Sequence, residues 1–381
     1  LQKRTSVWDP LTDFWTLGGL SVLFLILTKS ASLFRNDLPV FQMRFFQLVP
    51  LFSMLAIVCN HPHFLISYRL GYGRGFKFVR ANWFSLIIVP LVLIAAYATA
   101  YFFYDTDFSD SKLIASLNHS FESIGLGFRL GPSVPLGSEI MGLSIWLMYL
   151  TVGWHYSKQV YGCMMVQAFY RGYTLGHMQK LLLKWSILSV GIFQFISMTR
   201  AMDAASQDGR IHDLRFQNFS FSELGLPDWL LSLSTWLMVA LATATVMMMA
   251  WHYQKTRQRP SIIFLTPWIA FYAWWVPIGE LPEFYLLMVP FFHSLQYLPS
   301  AIRVQNRKLV TSKWHSVQVS IRTITLLLLG FAAFELVPSI LDKELSTDIS
   351  PAAWFFAAAF PIFINIHHFF IDSVVWKFHD S

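Results

Sequence analysis

Six histidines and one aspartate stand inside stretches otherwise apolar enough to cross a membrane. His61 and His63 lie in NHPHF, His155 in WHYSKQ, His293 in FFHSLQY, and His367, His368 and Asp372 in HHFFID. Ionisable side chains at bilayer depth are costly, and they are kept where they face a bundle interior or a wet cavity. Each histidine also has a polar neighbour at helical spacing. His155 has Lys158 and Gln159, His293 has Gln296 and Tyr297, and His368 has Asp372; residues three or four apart share a helix face. A ligating imidazole donates its second N–H to a carboxylate, amide or carbonyl that fixes its tautomer, and these neighbours are of that chemical type. His367 points about 100° away from His368 on a helix, so one binds while the other supports. Pro62 removes a backbone donor and disfavours helical geometry at His61. The helix is therefore predicted to open there, with Asn60, His61 and His63 at a site wall.

A set of four to six imidazoles with one carboxylate suits non-haem iron, as one ion or two, and less distinctively zinc or copper. The first-choice ligands are His63, His155, His293 and His367, with His61, His368 and Asp372 as further candidates. Gln159, Gln296 and Asp372 would orient ligands or complete the shell; Lys158 and Tyr297 would supply protons or bind oxygen species. Iron with open positions binds dioxygen, and an apolar cavity beside it accepts an isoprenoid, carotenoid or lipid substrate. The predicted activity is thus a membrane oxygenase or oxidoreductase, with an electron donor among its partners. Blander readings stand beside it: Lys158 snorkels to the interface, and Tyr161 and Tyr297 are ordinary core aromatics. His252 marks a helix end, and His119, His177, His212, His315 and His379 are solvated. Two other classes compete: a proton-coupled transporter or channel using the same intramembrane groups, and a bis-histidine haem protein.

The elements that must position these residues follow from composition. Of 381 residues 55% are hydrophobic and only 13% charged, and the mean hydropathy is +0.49; a soluble globular domain is far more polar. The predicted fold is all-α, a single polytopic integral membrane domain. Stretches long enough for a hydrocarbon core of ~30 Å fall near residues 14–30, 43–60, 83–104, 139–161, 181–201, 229–251, 262–277, 283–301, 318–338 and 352–375, about ten helices. Loops after even-numbered helices are basic, as in Arg69, Arg74, Lys77 and Arg80. Loops after odd-numbered ones are acidic, as in Asp105, Asp107 and Asp110, or Asp342, Glu344 and Asp348, except the first, which carries Lys29, Arg35 and Arg44. Because Lys and Arg prefer the cytoplasmic side, both termini are predicted to be cytoplasmic, in a bacterial inner membrane. The histidines would then sit toward the cytoplasmic ends of their helices. The net charge of +7 reads as topology and contact with membrane lipids, not nucleic acid.

Cys59 and Cys163 are too few for a disulfide framework and read as small buried hydrophobes. The first apolar run reads as a spanning helix rather than a signal peptide. No HExxH, CxxCH, Walker loop or dense desaturase-type histidine box is present. WHYSK at 154–158 returns as WHYQK at 251–255, an echo that reads as chance or duplication.

Taken together, the boxes resemble those of the Brp/Blh family, membrane enzymes that cleave beta-carotene to retinal. His63 follows Pro62 as in that family's PH box, FHSLQY is similar to its HSxxH box, and HHFFID is similar to its last box, with His367 five residues before Asp372; WHYSKQ would occupy the second. Tyr297 stands where the third box has its second histidine, Tyr68 where the first has aspartate, and WHYSKQ lacks the second's glycine and aspartate. The resemblance implies a related helical architecture and an oxygen-using iron site more than it implies carotene as the substrate.

Overall fold

The computed structural model describes residues 6–33, 49–107, 112–125, 135–207, 224–275, 282–305, 315–345 and 354–376. Every regular element among them is helical. In chain order they are α1 (Pro10–Phe14), continuing through a π-helical turn (Trp15–Gly19) into α2 (Leu20–Leu33); α3 (Val49–Tyr72); α4 (Phe76–Ala81); a π turn (Phe84–Ile88) leading into α5 (Val89–Phe102); α6 (Lys112–Ser123); α7 (Leu136–Arg171); and α8 (His177–Gln207). After these come α9 (Asp228–Thr256), α10 (Ile262–Trp275), α11 (Pro282–Gln305), α12 (His315–Phe331), a π turn (Ala332–Leu336), α13 (Val337–Leu345) and α14 (Phe355–Val375). Seven helical stretches among the described residues are long and apolar enough to cross a membrane, which marks an integral membrane protein: Pro10–Leu27, Phe84–Phe102, Leu136–Arg171, His177–Ala201, Asp228–Thr256, Ser320–Leu345 and Phe355–Val375.

Two helices differ from expectation in ways that move the candidate site. α3 does not open at Pro62; it runs unbroken to Tyr72, so His61 and His63 are interior rather than terminal. α7 continues ten residues past the expected end at 161. Lys158, Gln159 and Tyr161 resemble a helix terminus in sequence, but Val160, Met164 and Ala168 keep an apolar face buried to the end. His155 accordingly sits near the middle of α7, about 24 Å of helix rise from Arg171.

The chain divides into two compact units, and α3, α7, α8, α9 and α12 each contribute to both. In the first unit (residues 1–63, 154–194 and 234–327) the N-terminal helix is set by Asp9, which caps it by accepting from the Leu11 and Thr12 amides at 3.0 Å each, with Pro10 at the first position where its missing donor does no harm. One turn on, the buried Asp13 carboxylate accepts from Val7 N at 2.8 Å, Trp8 N at 3.1 Å and Gln167 Nε2 at 3.0 Å. The π turn that follows contains Gly18 at φ 145°, where any Cβ would collide with Ala270 of α10; only glycine takes this backbone and approach together. The looser turn presents the Leu17 carbonyl, which Gln296 Nε2 of α11 meets at 2.7 Å.

In the second unit (residues 64–153, 195–233 and 328–381) α5, the first half of α7 and α14 share a core of Leu93, Ala100, Met141, Ile145, Ile362 and Ile366. With lipid as apolar as leucine, close packing rather than water expulsion holds such helices. Gly71 permits that closeness at the end of α3, since a Cβ there would come within 2.9 Å of Ile371. Asp342 is not a loop acid as expected. It is buried, and its carboxylate caps α14 by accepting from Phe356 N at 2.7 Å and Ala357 N at 2.8 Å.

Candidate metal centre

Within the first unit three helices bring three histidines together. His63 of α3, His155 of α7 and His293 of α11 are 1%, 7% and 3% exposed. Their ring centroids lie 4.9 Å apart for His155 and His293, 5.3 Å for His63 and His293, and 6.1 Å for His63 and His155. His63 and His155 each offer a ring nitrogen within 4.8 Å of the other's. An ion held by an imidazole sits about 2.1 Å from nitrogen and hence roughly 3.2 Å from the ring centre, so three imidazoles around one ion place their centroids about 4.5–5.3 Å apart. Both separations to His293 meet that span by ring centre, whereas its nitrogens do not join those of His63 and His155 within 4.8 Å as placed; a side-chain rotation would bring one of them in. The donor set, all neutral nitrogen, suits iron, zinc or copper alike.

Aromatic rings enclose the group. Tyr297 meets His63 edge-on at 4.1 Å, and Tyr156 stacks on His293 at 3.8 Å with an interplanar angle of 29°; both tyrosines are buried. The supporting polar contacts are to backbone more than to rings. Gln159 Nε2 donates to the His293 carbonyl at 2.8 Å, which ties α7 to α11 at the histidine itself. Ser294 donates to Asn60, joining α11 to α3 one turn from His63.

The other predicted site residues have contacts of their own. His61 is buried but lies two residues, about 200°, around α3 from His63. Lys158 is on the exposed face of α7, as the snorkelling reading expects. Gln296 turns toward Leu17 rather than toward His293. In the second unit His367 is buried with both ring nitrogens committed to phenols. Tyr68 Oη lies 2.9 Å from Nδ1 and Tyr72 Oη 3.1 Å from Nε2. Since Tyr72 donates its own hydrogen to the Leu86 carbonyl at 2.7 Å, it accepts from Nε2–H, which leaves Nδ1 to accept from Tyr68. His368, also buried, lies with Nε2 3.5 Å from Asp372 Oδ2 and its ring 5.0 Å from Phe64, the pairing expected from their spacing.

His252 lies in the last turn of α9, the helix end expected from its sequence setting, and it is buried, its Nδ1 3.2 Å from Gln179 Nε2 and its ring 5.0 Å from Tyr173. The repeated pentad therefore supplies two buried histidines in different settings. His119 and His177 are exposed as expected, while His212 and His379 lie outside the described residues. Reading the sequence also missed Asp13, whose signal was present as a carboxylate at the start of an apolar run, and Tyr72 and Tyr156, which a chain with 14 tyrosines and 36 phenylalanines does not single out. Comparison with protein-family models, curated proteins and solved structures finds no match to this chain.

Proposed function

We propose that this protein is a membrane oxidoreductase that uses non-haem iron, held by His63, His155 and His293, and dioxygen to oxidise a lipophilic substrate such as an isoprenoid, carotenoid or lipid. The observation that carries this reading is the mutual approach of three buried imidazoles, from three helices, inside an aromatic enclosure. Bound there, iron supplies activation of dioxygen. The chain's own residues do the rest: Gln159 and the Ser294–Asn60 bond hold α7, α11 and α3 in register, Tyr156 and Tyr297 exclude water, and the Tyr297 hydroxyl is the group placed to give or hold a proton beside His63. Lys158, being exposed, is assigned to the interface. His293 packs against both His63 and His155, where a macrocycle between them would have to lie, which favours non-haem iron over haem. The proposed topology is ten crossings with both termini cytoplasmic.

The test is metal content in protein purified from membranes without chelator. His155→Ala and His293→Ala are expected to lose iron while remaining folded in detergent, and His119→Ala to retain it. Unchanged iron in all three variants, or none in the parent, would sink the assignment. The same measurement on His368→Ala and Asp372→Asn decides whether the ligand set extends to α14.

A further inference from the structure

The turn between α7 and α8 and the end of α9 form a second polar site that the oxidoreductase reading does not use. Gly176 N–H donates to Gln179 Oε1 at 2.8 Å, which orients the amide so that Gln179 Nε2 is the donor toward His252 Nδ1. The neutral imidazole then carries its hydrogen on Nε2. That N–H is buried and meets no acceptor, and the same is true of the Tyr173 hydroxyl beside it. Burial raises the Tyr173 phenol above its ordinary range, so it too remains a hydrogen donor. In Arg171, at the end of α7, Nε and one terminal nitrogen are likewise buried without a partner. An unsatisfied buried donor is costly, and donors gathered without acceptors call for an anion.

The surrounding charge agrees. Lys180, Lys184, Lys255, Arg257 and Arg259 flank these residues, and no Asp or Glu occurs between 140 and 202 or between 229 and 279. Trp251 lies under Lys255 and Tyr253 under Arg259, at 4.4 and 5.2 Å, the aromatic and cationic mixture of a headgroup layer. From Met178, next to Gln179, an apolar cavity of about 480 Å³ runs between α8 and α9, lined by Leu182, Trp185, Ile192, Leu237 and Leu241 among others. Met178 to Ile192 spans about 21 Å of helix, more than one leaflet's half of a ~30 Å core.

We propose that this end of the first unit binds an anionic glycerophospholipid, its phosphate seated by Tyr173, His252 and the neighbouring cations and one acyl chain lying in the α8–α9 groove. Full-length protein is equilibrated with vesicles of equal phosphatidylglycerol and phosphatidylcholine, extracted in mild detergent, and its bound lipid counted by native mass spectrometry. Phosphatidylglycerol is expected to be enriched about tenfold through the neighbouring cations, and Tyr173→Phe, which keeps the ring packing, to lower the phosphatidylglycerol bound per protein about tenfold, the loss of one charge-assisted hydrogen bond to phosphate. Equal retention of both lipids by the parent protein overturns the proposal, as does an unchanged amount of bound phosphatidylglycerol in Tyr173→Phe. Displacement of phosphatidylglycerol by millimolar inorganic phosphate would show a free-phosphate site and would also overturn it. The parent ratio needs no variant, so a misfolded mutant cannot rescue the idea, and iron content plays no part in the readout.

Discussion

His367 and His368 are adjacent in sequence and meet different chemistry: one ring is held between two phenols, the other beside a carboxylate. That a polar pair in an apolar helix would be engaged was legible from residue type alone. Which partners engage it was not, because Tyr68 and Tyr72 carry no distinguishing pattern among so many aromatics. The Tyr72 bond to Leu86 gives a direct test. Tyr72→Phe removes one acceptor for the His367 ring and the donor to a π-turn carbonyl, and is expected to destabilise by about 1–3 kcal/mol, read as a lowered thermal midpoint in detergent. A second test concerns pH. Asp9 is held below its usual carboxylate range by hydrogen bonds from the Thr12 hydroxyl, the Thr12 amide and the Leu11 amide. A depressed folded value means the stabilisation is present above the ordinary carboxylate range and is lost as pH falls through the lowered one. Asp9→Ala is therefore expected to lower the midpoint at neutral pH, with the difference closing as pH falls below the ordinary carboxylate range, as differential scanning of both proteins would show.

At the scale of elements, hydrophobic stretches located the helices well but placed their ends poorly, and the ends decide where the histidines lie. α3 passes through Pro62 because a proline in a membrane helix loses one backbone bond without losing its neighbours' packing, something local sequence cannot reveal. α7 outruns its apolar stretch because polar residues such as Lys158 ride on an exposed face while the opposite face stays buried. The π turn at Trp15–Gly19 was equally invisible, since it depends on α10 and α11 lying against it. Gly18→Ala joins an unfavourable φ to a collision with Ala270 and is expected to cost a few kcal/mol. Gly75→Ala meets nothing within 4 Å, but φ 88° with ψ 170° is a conformation nearly reserved for glycine, and it should cost about 1–3 kcal/mol through backbone strain alone. The two midpoints measured together separate crowding from backbone strain.

On the scale of the whole molecule, composition alone identified an all-helical membrane protein, and His63, His155 and His293, from three helices, are buried within one unit. The expected closeness to one face does not follow for His155, because that inference used helix ends that the structure moves. Burial of the three rings has a consequence for exchange kinetics. An ion held among rings that are 1–7% exposed and walled by tyrosines would have no open aqueous exit. A hydrophilic chelator added to intact membranes should strip it over hours, while a lipid-permeant chelator of equal affinity should do so in minutes. Equal rates for the two would mean that water reaches the histidines freely. Slow release to the hydrophilic agent alone would make the bilayer itself the gatekeeper of metal loading, so that insertion of the ion would have to accompany assembly of the helices.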